Sequence, residues 1–205
     1  LLGNRIILAF VVVVLFSVTM ELSAETYYTQ SSGIVSTPSN WNTLVGGGGD
    51  SPADFTGSNT WIIQSGHVMT MSEDWSVGAG GSAVVEINGS LTVSGLFLVQ
   101  VNGTLTINGV MVNTGSHTSA DFITATGGIT VNGTYNHARD GGNLPSITWA
   151  AGSLCAVTGL TTTGYVPPSF DQEFYNFTWS CPMQITKSVS LDGNVKTVRG
   201  TFTYN

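Results

Sequence analysis

The sequence predicts an all-β chain wound as a right-handed parallel β-helix, a solenoid of about 20–24 residues per coil. Three observations carry this prediction. Short runs alternate aliphatic residues with threonine, as in Leu91-Thr92-Val93, Leu105-Thr106-Ile107 and Ile129-Thr130-Val131. A period of two puts the aliphatic side chains on one face and the threonines on the other. Corners of the Asn-Gly type separate such runs, at Asn88-Gly89, Asn102-Gly103, Asn108-Gly109 and Asn132-Gly133. Both residue types tolerate positive φ, so the chain is expected to turn there without strain. Finally, Gly66, Gly89, Gly109, Gly133 and Gly152 recur at intervals of 23, 20, 24 and 19 residues.

The competing architecture is an antiparallel β-sandwich, because Asn-Gly between alternating strands is also a strong hairpin signal. The strand between Gly103 and Asn108 is only four residues long. That is awkward for a double hairpin and natural for one solenoid face. After residue 24 no apolar stripe of helical period has useful length.

Residues 1–24 read as a signal peptide. Arg5 supplies a positive start, and Ile6 to Val18 is apolar except for Ser17, too short to span a bilayer comfortably. Leu22-Ser23-Ala24 then offers a small residue for cleavage before Glu25, with no cysteine nearby to carry a lipid. The opening Leu1, in place of Met, reads as a frame incomplete at its start. Residues 25–60 are rich in turn formers, with Trp41 and Phe55 as isolated anchors, and are expected to cap one end of the solenoid. The run Gly46 to Asp50 lacks the Lys-Ser/Thr of a phosphate loop, and a calcium-binding glycine repeat needs several copies. Residues 61–205 form the β-helix segment, and the mature chain has length for about eight coils. No polar cap follows Gly200-Thr201-Phe202-Thr203, so the rod is expected to continue beyond Asn205.

Charge is scarce. The 205 residues include five basic and twelve acidic side chains, 8% in all, where about 25% is usual. Charge-rich disorder, coiled coil and basic nucleic-acid binders are excluded. The 26 glycines do not recur at every third position, which excludes collagen. A net charge of −7 argues against nucleic acid and anionic membrane as partners. An exported chain of this kind is expected outside the cell or on its surface, with extracellular polysaccharide or cell-surface components as partners.

The second half carries the most distinctive strings: VNGTYNHARDGGNLPSITWAAGSLCAVTGL over 131–160 and FDQEFYNFTWSCPMQITKSVSLDGNVKTVRGTF over 170–202. They resemble a module of large secreted surface proteins from bacteria that use type IX secretion. Its pattern runs roughly NGxYxHxxxGGxIPxATW, GSxCxITG, QxFYNFxWNCPxQ and SLxGNLxTVxGxF. The string TWIIQSGHVMTM resembles the opening β-helix coil of such proteins, and the resemblance spans about residues 55–205. It implies a surface or adhesin-like role and brings no catalytic residues with it.

Candidate sites are few. Of His67, His117 and His137, none has a second ligand at metal spacing, so no metal or cofactor is expected. His137, Arg139 and Asp140 stand together in the matched string as a weak ligand-site candidate. Trp149 and Trp179 would stack on sugar rings if exposed, and would otherwise anchor adjacent coils. Asp171 and Glu173 would lie about 7 Å apart on one strand face, within the range of an inverting glycosidase pair, although Pro167-Pro168-Ser169 before them reads as loop. Lys196 and Arg199 near Asp192 are the least implausible lyase combination. No G-x-S-x-G occurs. Cys155 and Cys181 are either a disulfide, which an exported compartment permits, or two buried thiols. The expected function is a non-catalytic structural or adhesive segment; the alternative is a polysaccharide-binding module or a β-helix lyase or hydrolase.

Overall fold

A computed structural model of the chain describes residues 23–116, 122–162, 166–184 and 197–205. The expected signal peptide save Ser23 and Ala24, together with His117, Lys187, Asp192 and Lys196, lies outside the described residues. The described chain is a parallel β-solenoid. One wall stacks Thr26–Thr29, Thr60–Ile63, Ala83–Ile87, Gly103–Ile107, Ile129–Val131 and Thr148–Trp149. A second wall of eight strands runs from Gly33–Ile34 through Val68–Thr70, Ser90–Val93, Val110–Asn113, Thr134–His137, Leu154–Val157 and Asn176–Trp179 to Phe202–Tyr204. Trp75–Val77, Val99–Val101 and Ile123–Ala125 form a third wall. Among the described residues the helical structure is one turn, Pro38–Asn40, and no helix is long and apolar enough to cross a membrane.

Apart from the edge strand Trp41–Asn42, each strand pairs in parallel with its counterpart one coil away, so the antiparallel sandwich is excluded. Asn88-Gly89 leads from Ala83–Ile87 on the first wall to Ser90–Val93 on the second, and therefore turns a corner where a hairpin would reverse the chain. In the second wall Met69, Leu91, Met111, Tyr135, Cys155 and Phe177 are successive partners. Neighbours in this stack lie 20, 22 or 24 residues apart, within the expected coil length. Five of the steps along this wall have that length among the described residues. The first is longer, because Ser32 meets Val68 only after 36 residues.

Inward positions build one continuous core. Trp61, Val85, Leu105 and Ile129 stack in the first wall, and each is 5% exposed or less. Trp75, Val99 and Ile123 do the same in the third. Outward positions carry threonines, as in the level set Thr106, Thr130 and Thr148. At the first end, Trp41–Asn42 pairs antiparallel with Thr26–Thr29 along the outer edge of the first wall. The Trp41 indole is fully buried, 5.5 Å from Trp61, 5.9 Å from Trp75 and 6.0 Å from Phe55 between ring centroids. The ladders thus already include strands from the 25–60 segment. At the other end Phe202 stacks on Phe177 at 5.6 Å and is 47% exposed.

The glycines of the corners serve a purpose different from the expected one. Of the four Asn-Gly glycines only Gly103 adopts positive φ, at 145°. At Gly109 a Cβ would lie 2.0 Å from the Gly89 carbonyl oxygen, and at Gly133 it would lie 2.1 Å from that of Gly109. Glycine is required there because backbone rests directly on backbone. The asparagines stack above one another: Asn108 Nδ2 donates to Asn88 Oδ1 at 2.8 Å, and Asn132 Nδ2 donates to Asn108 Oδ1 at 2.7 Å.

Gly109→Ala is therefore expected to lower stability by about 1–3 kcal/mol or more, the cost of forcing atoms into a filled contact. Gly46→Ala, where a Cβ meets nothing within 4 Å, is expected to stay within about 0.5 kcal/mol of the parent. Urea unfolding of the two variants measures the difference; equal midpoints would show that the corner has room to spare.

Candidate functional site

His137, Arg139 and Asp140 follow one another at the end of the strand Thr134–His137, and the fold separates them. His137 occupies an inward position in the stack Asn113, His137, Val157, Trp179 and is fully buried. Its Nε2 lies 2.9 Å from the Gly141 carbonyl oxygen, to which it donates as the neutral ring. Burial, and secondarily the Arg139 charge, pulls its pKa down to about 4 against the partial counteraction of the Gly141 bond. Arg139 is 6% exposed, with its guanidinium carbon 4.6 Å from the Phe122 ring centroid. Asp140 is exposed and accepts hydrogen bonds from the Thr161 hydroxyl and, at 3.0 Å, from the Thr161 amide. Those bonds hold its carboxyl below the usual range. The three side chains address the core, an aromatic ring and the next coil, and do not converge on one ligand.

The tryptophans are corrected as sugar platforms. Trp149 and Trp179 are 3% and 1% exposed. The Trp149 indole N–H donates to Gln172 Oε1 at 3.2 Å and that of Trp179 to Gln184 Oε1 at 3.0 Å. Trp149 packs against Tyr135 at 6.4 Å and Phe174 at 5.2 Å, as an anchor between coils. Trp41, Trp61 and Trp75 are fully buried as well.

The disulfide is likewise absent: Cys155 and Cys181 are both free and buried. Cys155 is level with Phe177 in the second wall. Cys181 lies beyond the end of the strand Asn176–Trp179. The Cys181 thiol donates instead to the Val157 carbonyl at 3.4 Å. Burial pushes both thiols up from their ordinary pKa, which keeps them protonated and unreactive.

One cleft gathers chemistry from three coils. It has a volume of about 310 Å³ and is lined by Ile147, Thr148, Trp149, Asp171, Gln172, Glu173 and Arg199. Asp171 and Glu173, separated in sequence by Gln172, do share it, and both are exposed. Arg199 Nη2 donates to the Trp149 carbonyl at 3.0 Å, which holds the guanidinium at the rim. Gln172 braces the floor: its Oε1 accepts from Ile147 N at 3.0 Å as well as from the Trp149 indole, while its Nε2 donates to Pro145 O at 2.9 Å and Ser169 O at 2.7 Å. Sequence reasoning missed Gln172 as a structural centre, although it opens the QxFYNF part of the matched pattern. Two carboxylates and a guanidinium around the edge of an indole can hold a polar, hydroxyl-rich ligand. Among the described residues no three of His, Cys, Asp and Glu stand close enough to hold a metal ion. Compared with family models, curated proteins and solved structures, the chain matches none.

His137 generates a pH prediction. Its folded pKa of about 4 lies below the ordinary 6.5, so the unfolded chain binds a proton first as pH falls. The stability it contributes is complete above about 6.5, declines as pH falls, and is fully lost below about 4. The loss across that window is expected to be roughly 3 kcal/mol. Thermal unfolding followed from pH 7 to 4 should show it, and His137→Gln should flatten that slope; an unchanged slope in the variant would place the proton elsewhere.

Proposed function

We propose that the chain is a structural and adhesive segment of a secreted bacterial surface protein, without catalytic activity of its own. One observation carries the reading: the candidate residues His137, Asp140, Trp149 and Trp179 are committed to hydrogen bonds within a coil or between neighbouring coils. His137 donates to Gly141, Asp140 accepts from Thr161, and the two matched tryptophans donate to Gln172 and Gln184. What the solenoid presents outward is threonine on stacked strands and asparagine at stacked corners. Such a rod resists bending because backbone hydrogen bonds run along its axis through every coil. The resemblance to type IX surface modules supports the same reading, as does the sequence of residues 1–24, which supports export.

The second reading, a polysaccharide-binding or polysaccharide-cleaving module, is favoured by the cleft around Trp149, Asp171, Glu173 and Arg199. The two readings separate experimentally. The mature chain from Glu25 onward is incubated with neutral and acidic polysaccharides, and products are followed by reducing-end release and by the absorbance of unsaturated sugars. The expected outcome is no product with any substrate. Product formation abolished by Glu173→Gln would replace the structural reading with the enzymatic one.

A further inference from the structure

The stacked corners carry a chemical liability. In an Asn-Gly pair the glycine has no side chain to shield its backbone nitrogen. That nitrogen can attack the asparagine Cγ, forming a C–N bond. Ammonia leaves with the side-chain nitrogen and a five-membered succinimide remains. Water then opens the ring at one of its two carbonyls, giving aspartate or isoaspartate. The reaction needs no enzyme and no oxidant, only freedom for the side chain to swing onto the next amide.

The fold distributes that freedom unequally over four chemically similar pairs. Asn108 is held from both sides: its Nδ2 donates to Asn88 Oδ1 at 2.8 Å, and its Oδ1 accepts from Asn132 Nδ2 at 2.7 Å. Asn102 is held still more firmly, since its Nδ2 donates to Gly78 O at 3.1 Å and Gly81 O at 2.6 Å while its Oδ1 accepts from Thr126 Oγ1 at 3.1 Å. Asn88 is anchored through its oxygen and is half-buried. Asn132 ends the stack. It is exposed and donates one bond to the coil below, and the corner above it is Ala150-Ala151-Gly152, which has no side-chain amide to offer. The attacking amides do not reverse this order, since Gly109 and Gly133 both donate to carbonyls of the previous coil, at 2.7 Å to Ile87 O and 2.9 Å to Ile107 O.

We propose that Asn132 is the deamidation site of the folded protein, and that its conversion exposes Asn108 to the same reaction. An aspartate at 132 has no N–H to give, so a carboxylate oxygen faces Asn108 Oδ1 and the upper rung is lost. An isoaspartate also lengthens the backbone by one methylene, at a corner where even a Cβ on Gly133 would lie 2.1 Å from the Gly109 carbonyl oxygen. Asn108 is then tethered from one side, as Asn132 was. The asparagine stack ages from one end.

The test is to age the intact chain in mildly alkaline buffer, digest it, and quantify aspartate and isoaspartate at each Asn-Gly by chromatography and mass spectrometry. Asn132 is expected to react first, with Asn108 and Asn102 slower by about fivefold for each additional hydrogen bond that must open. In concentrated urea all four pairs are expected to react at similar rates. The variant Asn132→Ala removes the upper rung and is expected to raise the Asn108 rate about fivefold while circular dichroism stays that of a β-solenoid. Asn88, Asn108 or Asn102 reacting as fast as Asn132 in the folded parent chain would overturn the proposal. So would an Asn108 rate that Asn132→Ala leaves unchanged in a folded variant.

Discussion

Backbone resting on backbone at the asparagine–glycine corners is the contact on which the rest of the solenoid depends. Gly109 sits on the carbonyl of Gly89, and Gly133 sits on that of Gly109, with no space for a methyl group between them. Such seats accept a coil in one register. A slip by one residue would bring an asparagine side chain onto a carbonyl and turn every inward side chain outward. With the corner seated, Leu91 must lie under Met111 and Val93 under Asn113. The same seats make Asn88, Asn108 and Asn132 level with one another, so their amides bond in sequence. A local steric requirement thus sets both the apolar rows inside and the polar row along the corner.

Scarcity of charge follows from this arrangement. Amides and hydroxyls stacked at the strand spacing of about 4.8 Å can satisfy one another, whereas like charges stacked so closely would repel. One interior polar group has its partners built in. Asn113 stands in an inward row and is fully buried, with its Nδ2 donating to the Tyr135 hydroxyl at 3.0 Å and its Oδ1 accepting from Gly115 N at 3.2 Å. Left unpaired, such a group would cost more than the apolar residue it replaces. Asn113 therefore adds to the specification of register that the glycine seats begin.

What the sequence made legible was the part written in local periodicity. The alternation through Leu91, Leu105 and Ile129 gave the strand faces, and the Asn-Gly pairs marked the corners. The reason for the glycines was not legible, because close approach to a neighbouring coil involves residues 20 or more positions away. The same limit explains the tryptophans. Trp149 and Trp179 read first as anchors between coils and second as exposed platforms, and what seats them is Gln172 and Gln184, whose side chains take the indole protons. The cysteine pair stayed open between two readings for a related reason. Spacing in sequence says how large a loop a disulfide would close, and says nothing of whether Cys155 and Cys181 come level in the wall.

The cleft shows where such a fold can acquire a site. Where three walls are stacked in register the hollows are lined by small and polar side chains, as along the third wall beside Ser76, Gln100 and Thr124. The third wall is built of strands through Ile123–Ala125, and the pair Glu173–Phe174 and Thr197–Val198 forms a separate short sheet. The change of sheet lets Ile147, Asp171 and Arg199 meet around a hollow that none of their own coils contains. Gln172 then becomes necessary: with fewer ladder bonds available, one side chain binds Pro145, Ile147, Trp149 and Ser169 together. Regular coils give the rod its length and stiffness, and the interruption of that regularity is what brings carboxylate, guanidinium and indole to one place.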